Sequence, residues 1–79
     1  MKLYEIPKNS IINAEVRNED GKVLGSQITF HHLDGMYSYC TVVGSGEVCH
    51  LGANQELELM DDGTYNLANI PAYPYKDKN

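Results

Sequence analysis

Short runs of alternating apolar and polar residues follow one another along this chain. The clearest cover residues 12–17, 27–32 and 56–60, and residues 37–43 form the run richest in β-branched and aromatic side chains. Alternation with a period of two is typical of a strand that buries one face. We find no helical period of useful length, so the pattern predicts an all-β domain.

Turn signals separate these runs. They are three Asp-Gly steps and one Gly-Ser-Gly step: Asp20-Gly21, Asp34-Gly35, Asp62-Gly63 and Gly44-Ser45-Gly46. Asp-Gly supplies the positive φ angles that tight hairpin turns need. The spacing predicts a small antiparallel meander of five to seven strands. We expect it to close into an SH3-like or Sm-like barrel, because closure removes exposed sheet edges.

The last stretch of the chain differs from the rest. Residues 70–75 contain Pro71 and Pro74, which supply no backbone donor to a central strand. We therefore predict a single β domain over residues 1–68 and an extended, polyproline-like arm over residues 69–79. Tyr73 and Tyr75 are expected to contact a partner. Docking on the chain's own barrel is one alternative; docking on a neighbouring subunit is favoured and would give a symmetric homo-oligomer.

The charge balance argues against a nucleic-acid polymer as partner. The net charge is −5, and the six basic residues are scattered rather than clustered. Residues 1–7 hold no apolar run that suits a secretion signal, and no stretch is apolar enough for a membrane helix. The sequence thus predicts a cytoplasmic protein without membrane contact. Cys40 and Cys49 are then expected as thiols.

Histidines and cysteines suggest two kinds of chemistry. A two-residue turn at Asp34-Gly35 would pair His31 with Ser38 and place His31, Ser38 and Cys40 on one sheet face. A three-residue loop at residues 44–46 would add His50 to them, whereas a two-residue loop would add Cys49 and turn His50 away. His31, Cys40 and His50 are thus metal candidates, but the paired spacing of structural zinc sites is absent. We therefore expect no metal or cofactor, with both cysteines acting as small apolar residues.

A Cys-His nucleophilic pair is the second possibility. Cys40 with His31 or His50 would need an orienting group and an oxyanion site as well. A chain of 79 residues offers little room for a deep pocket. The sequence therefore favours a binding protein over an enzyme.

Aromatic residues indicate where a partner would bind. The same turn would place Phe30, Tyr37 and Tyr39 on one face beside His32. Phe30 is expected in the core, while Tyr37, Tyr39 and His32 are candidate contact residues. The partner could be a protein, or a nucleotide-like small molecule that subunits trap by stacking. The net charge of −5 suits a polyanionic ligand poorly, so a protein partner ranks first.

Two segments carry a resemblance to known proteins. Residues 30–40 (FHHLDGMYSYC), with residues 1–7 (MKLYEIP) before them, resemble small uncharacterised accessory proteins of tailed phages. The resemblance implies a protein made in the cytoplasm of an infected bacterium. Proteins of this class often inhibit a host enzyme or sequester a signalling molecule. It therefore implies an inhibitor that blocks a host protein, or a sponge for a small ligand, and it supplies no catalytic motif.

Overall fold

The computed structural model describes residues 1–67, and their secondary structure is almost entirely β. The elements are a 3-10 turn at Leu3–Glu5 and six strands: β1 Ser10–Arg17, β2 Val23–Asp34, β3 Tyr37–Val42, β4 Val48–Cys49, β5 Leu57–Leu59 and β6 Tyr65–Leu67. Within these residues no helix is long and apolar enough to cross a bilayer. The predicted all-β class is confirmed.

The strands form one mixed sheet in the order β4-β3-β2-β1-β6-β5. Strand β1 pairs in parallel with β6, and the other pairings are antiparallel. The predicted antiparallel meander is thus confirmed for strands β1 to β4. The predicted closure into a barrel is not found among residues 1–67, since β4 and β5 lie at two separate edges. After β4 the chain crosses over to the other side of β1. There β6 forms backbone hydrogen bonds with the edge of β1 that β2 leaves unpaired.

One face of the sheet is buried. The core contains the apolar residues of the alternating runs together with residues from the N-terminal turn and the crossover: Leu3, Ile6, Ile12, Ala14, Val16, Ile28, Phe30, Cys40, Val42, Cys49, Leu51, Leu57 and Tyr65. The N-terminal turn packs on this core through Leu3. The Leu3 amide donates to the Gln55 carbonyl at 2.9 Å, and this bond holds the turn in place. Phe30 lies in the core as predicted, with 3% of its surface exposed.

The β2–β3 turn is shifted by one residue from its predicted position. Asp34 pairs with Tyr37, so the two turn residues are Gly35 and Met36 rather than Asp34 and Gly35. Gly35 has a φ of +64°, whereas Met36 is not in the positive region. A positive φ at the first turn residue alone is the type II′ arrangement, which favours glycine there. The Asp-Gly step therefore forms a hairpin, but with glycine leading the turn.

The predicted arm over residues 69–79 lies outside the described residues. This includes the candidate contact residues Tyr73 and Tyr75, which stay predictions.

Candidate binding surface

A β-bulge brings two histidines to one tyrosine. Phe30 pairs with Cys40 and His32 pairs with Tyr39, so one extra residue, His31, lies on β2 between these pairs. In a bulge of this kind, two successive residues oppose one residue of the partner strand. The predicted pairing of His31 with Ser38 is therefore wrong, and so is the predicted face that His31 would share with Cys40. Phe30, Ser38 and Cys40 are instead buried together, while the two histidines lie beside Tyr39.

Both histidine rings contact the ring of Tyr39. The His32 ring stacks on it at a centroid distance of 5.4 Å and an interplanar angle of 23°. The His31 ring lies 5.2 Å from it at 40°, and His31 Nε2 is 2.7 Å from the Thr41 hydroxyl. Such ring pairs contribute about 0.5–1.5 kcal/mol each beyond their burial. Tyr39 is thus a half-buried residue with restrained orientation, and His32 remains exposed beside it.

Large apolar side chains are exposed where this hairpin ends. Met36 is 80% exposed, Tyr37 62% and Leu33 43%. We call Met36 and Tyr37, together with His32 and Tyr39, the hairpin surface. Leu33 pairs with Ser38 and therefore belongs to the opposite face of the sheet. The structure thus places Tyr37, Tyr39 and His32, the predicted contact residues within residues 1–67, at the same end of one hairpin. Phe30, predicted to share their sheet face, is placed by the bulge on the opposite face, with Cys40.

The backbone of the hairpin is anchored to the crossover segment. The Ala53 amide donates to the Met36 carbonyl at 2.8 Å, and Tyr37 forms a bridge with Gly52. These bonds fix the turn that carries the exposed methionine. The apolar end of the hairpin is therefore held in one conformation by residues far from it in sequence.

Ser38 provides a second anchor, from inside the core. It is fully buried, and its hydroxyl donates to the Leu51 carbonyl at 3.0 Å and accepts from the Leu51 amide at 3.1 Å. The Ser38 carbonyl in turn accepts from His50 Nδ1 at 2.7 Å. Sequence reasoning placed Ser38 on the face of Cys40 but missed this role. The available signal was a lone polar residue in the apolar alternation of β3.

The three metal candidates do not come together. His31 lies beside Tyr39, Cys40 faces the core, and the β3–β4 register pairs Cys40 with Cys49. This register corresponds to the two-residue alternative for the loop between β3 and β4, in which His50 faces away from Cys40. Among residues 1–67, no group of three His, Cys, Asp or Glu side chains is arranged to hold a metal ion. The arrangement of these residues thus offers no first coordination shell.

Burial also changes the chemistry of both thiols. Cys40 and Cys49 are unpaired and almost fully buried. Desolvation raises the pKa of Cys40, and it raises the pKa of Cys49 to about 12, with the adjacent Cys40 contributing. A protonated thiol is a poor nucleophile and a poor metal ligand. Burial of Cys40 therefore disfavours the thiolate that a Cys-His nucleophilic pair would use.

We predict that neither native cysteine reacts with iodoacetamide at pH 8 while the protein is folded. With a pKa of about 12, Cys49 has roughly a thousandfold fewer thiolates than an ordinary cysteine of pKa near 9. Mass spectrometry should show an unmodified chain, and two modifications after unfolding in guanidinium. A matched control is Val48→Cys, whose position neighbours Cys49 but is 54% exposed. Native alkylation as fast as at position 48 would contradict the prediction.

Comparison with protein-family models, curated proteins and solved structures found no match to this chain. The geometry of the hairpin surface is therefore the basis for the function proposed below.

Proposed function

We propose that this chain is a non-enzymatic binding protein that docks on another protein through the hairpin surface and blocks it. The observation that carries the proposal is the exposure of Met36 and Tyr37 at the end of one hairpin, beside His32 and Tyr39. Exposed apolar groups collected in one place are typical of protein interaction sites. Tyrosine and methionine are also enriched at the centres of such interfaces.

The anchoring of the hairpin supports the proposal. Binding costs free energy when loops and side chains must become ordered at the interface. Here the Ala53–Met36 hydrogen bond fixes the turn, and the stacked His32 ring restrains Tyr39. The hairpin surface is thus already arranged before a partner arrives, which lowers the ordering cost.

The proposed partner is a bacterial protein. The resemblance to phage accessory proteins motivates this choice, and with it a place of action in the cytoplasm of the infected host. The net charge of −5 favours a partner with a basic surface, because charge complementarity accelerates association and rejects acidic proteins. Blocking then requires only occupancy, and no residue of this chain performs a reaction.

A nucleotide-like ligand is the second candidate, and the His32–Tyr39 stack favours it. A base could add to two rings that are already stacked, and stacking contributes about 1–3 kcal/mol per base. Against it, β3 and β4 carry no Lys or Arg that could contact a phosphate. Thermal unfolding with a nucleotide panel separates the candidates, since a ligand at 100 times its Kd adds about 2.7 kcal/mol.

The test of the proposal is capture of a partner from a bacterial lysate, with Tyr37→Ala as the main variant. Removing an aromatic residue at the centre of an interface costs about 2 kcal/mol or more, equivalent to roughly a 30-fold weaker Kd. We expect Tyr37→Ala to retain its folding stability because the side chain is 62% exposed. Affinity for the captured protein is then measured by calorimetry for each variant.

Tyr4→Ala is the matched control for this experiment. Tyr4 is 52% exposed on the N-terminal turn and lies outside the hairpin surface. The Tyr4→Ala variant loses the same atoms as Tyr37→Ala but at a site outside the proposed interface. Its affinity for the captured protein should therefore equal that of the unmodified chain. Equal binding by Tyr37→Ala and the unmodified chain would refute the proposed surface.

A further inference from the structure

A second surface feature lies at the opposite edge of the sheet. An open groove of about 700 Å³ follows β5 and the end of β6. Its apolar part is formed by Met1, Leu57, Leu59 and Leu67. Leu59 is 57% exposed and Met1 is 47% exposed, so apolar surface is left uncovered there by residues 1–67. In the sheet order, β1 lies between this groove and strands β2 and β3, which carry the hairpin surface.

Acidic side chains border the groove. Glu56 forms ion pairs with Lys2 at 3.0 Å and with the Met1 ammonium at 2.8 Å. Within residues 1–67, the Glu58 carboxylate has no hydrogen-bond or ion-pair partner. Because Glu56 is already paired with two cations, Glu58 is the carboxylate that a basic residue of a bound segment could pair with. A segment that fits the groove should therefore combine apolar side chains with a lysine or arginine near Glu58.

The sequence after Leu67 has this composition. Ile70, Tyr73 and Tyr75 are large side chains with apolar bodies, and Lys76 and Lys78 follow them. The arm carries a net charge of +1, whereas residues 1–68 carry −6, so the arm is the locally basic part of an acidic chain. Both its apolar and its charged residues thus complement the groove.

The start of the arm favours a groove on another molecule. Leu67 itself lines the groove, so residues that follow it could fill the same groove only by reversing direction at once. Ile70 precedes Pro71 and Tyr73 precedes Pro74, and a residue before proline favours extended backbone. Six extended residues would span up to about 20 Å between Leu67 and Tyr73, which is enough to reach a groove on a neighbouring molecule. The sequence of the arm therefore favours a groove on another molecule over the one beside Leu67.

We propose that the groove along β5 and β6 binds the C-terminal arm of a second copy of this chain. Exchange in both directions gives a closed dimer with two identical contacts. In each contact, Tyr73 and Ile70 lie against Leu59 and Leu67, and the lysines lie near Glu58. The contact leaves the hairpin surface free, so the dimer presents two copies of it.

Cross-linking between two variants of the full chain tests this arrangement. Leu59→Cys protein is mixed with Tyr73→Cys protein labelled with nitrogen-15, and a short bismaleimide joins nearby thiols. We expect a cross-linked peptide pair that joins positions 59 and 73 from differently labelled chains. Val23→Cys replaces Leu59→Cys in the control, since Val23 is 44% exposed at the start of β2 and lies outside the groove.

Sedimentation of a charge variant gives an independent measurement. Leu59→Glu should raise the dimer Kd at least tenfold, while Val23→Glu leaves it unchanged. A monomer at every workable concentration would overturn the proposal. Cross-links between positions 59 and 73 only within one chain would do so as well. Neither result bears on partner capture through Tyr37, which is measured separately.

Discussion

Ile12→Ala is expected to lower the free energy of unfolding by about 3 kcal/mol, within the range of about 2–5 kcal/mol seen for buried isoleucines. Ile12 is fully buried on β1, the strand that holds the two halves of the sheet together. It pairs with Ile28 on β2 and with Tyr65 on β6. The smaller side chain leaves a cavity where the antiparallel and parallel parts of the sheet meet.

Thermal unfolding provides the measurement for Ile12→Ala. For a domain of this size, a loss of 3 kcal/mol lowers the Tm by about 12–24 °C. Ile11→Ala removes the same atoms from the next residue, which points to the opposite face and is half-buried. We expect at most about 1 kcal/mol for that change. Equal losses from the two variants would show that the core does not lie on the face assigned to it.

Ser38→Ala is expected to lower the free energy of unfolding by about 2–3 kcal/mol. The hydroxyl bonds both the amide and the carbonyl of Leu51 in a fully buried position. Removing it leaves both backbone groups without a partner, and each unsatisfied buried group costs about 1–3 kcal/mol. The same bonds anchor β3 beside the hairpin surface, so partner affinity should fall together with stability.

The matched control for Ser38 is Ser45→Ala. The Ser45 hydroxyl also accepts a backbone amide, from Glu47 at 3.3 Å, but on an exposed loop where water can replace it. Its loss should change stability by less than about 0.5 kcal/mol. Urea unfolding measures both variants. If Ser38→Ala is as stable as Ser45→Ala, the hydroxyl does not join β3 to the crossover segment.

The two proposed surfaces lie at different ends of the sheet and can act together. The hairpin surface belongs to β2 and β3, whereas the groove belongs to β5 and β6, with β1 between them. A dimer joined by its arms would carry two hairpin surfaces. Two linked sites bind an oligomeric partner more tightly than one site does, because the second site binds at the high effective concentration that the first contact creates. A small chain would thereby gain affinity without a larger interface.

Local patterning determined the strands and their buried faces. The alternation of Ile12, Ala14 and Val16 identifies the face that packs inward, and Ile28 with Phe30 does the same on β2. These features depend on neighbouring residues alone, because side chains alternate along any strand. The glycine at position 35 likewise marks a hairpin, since its positive φ is a local property.

Pairing between strands determined the candidate site, and this was not readable from the local pattern. The bulge at His31 and His32 reverses the face of His31 and brings both rings to Tyr39. A shift by one residue moves a side chain to the opposite face, and nothing in the alternation records it. The parallel pairing of β6 with β1 also depends on residues more than 50 positions apart. The sequence by itself therefore determined an all-β chain with aromatic contact candidates. The tertiary structure decided which of their rings meet, because register is settled by long-range hydrogen bonds and packing.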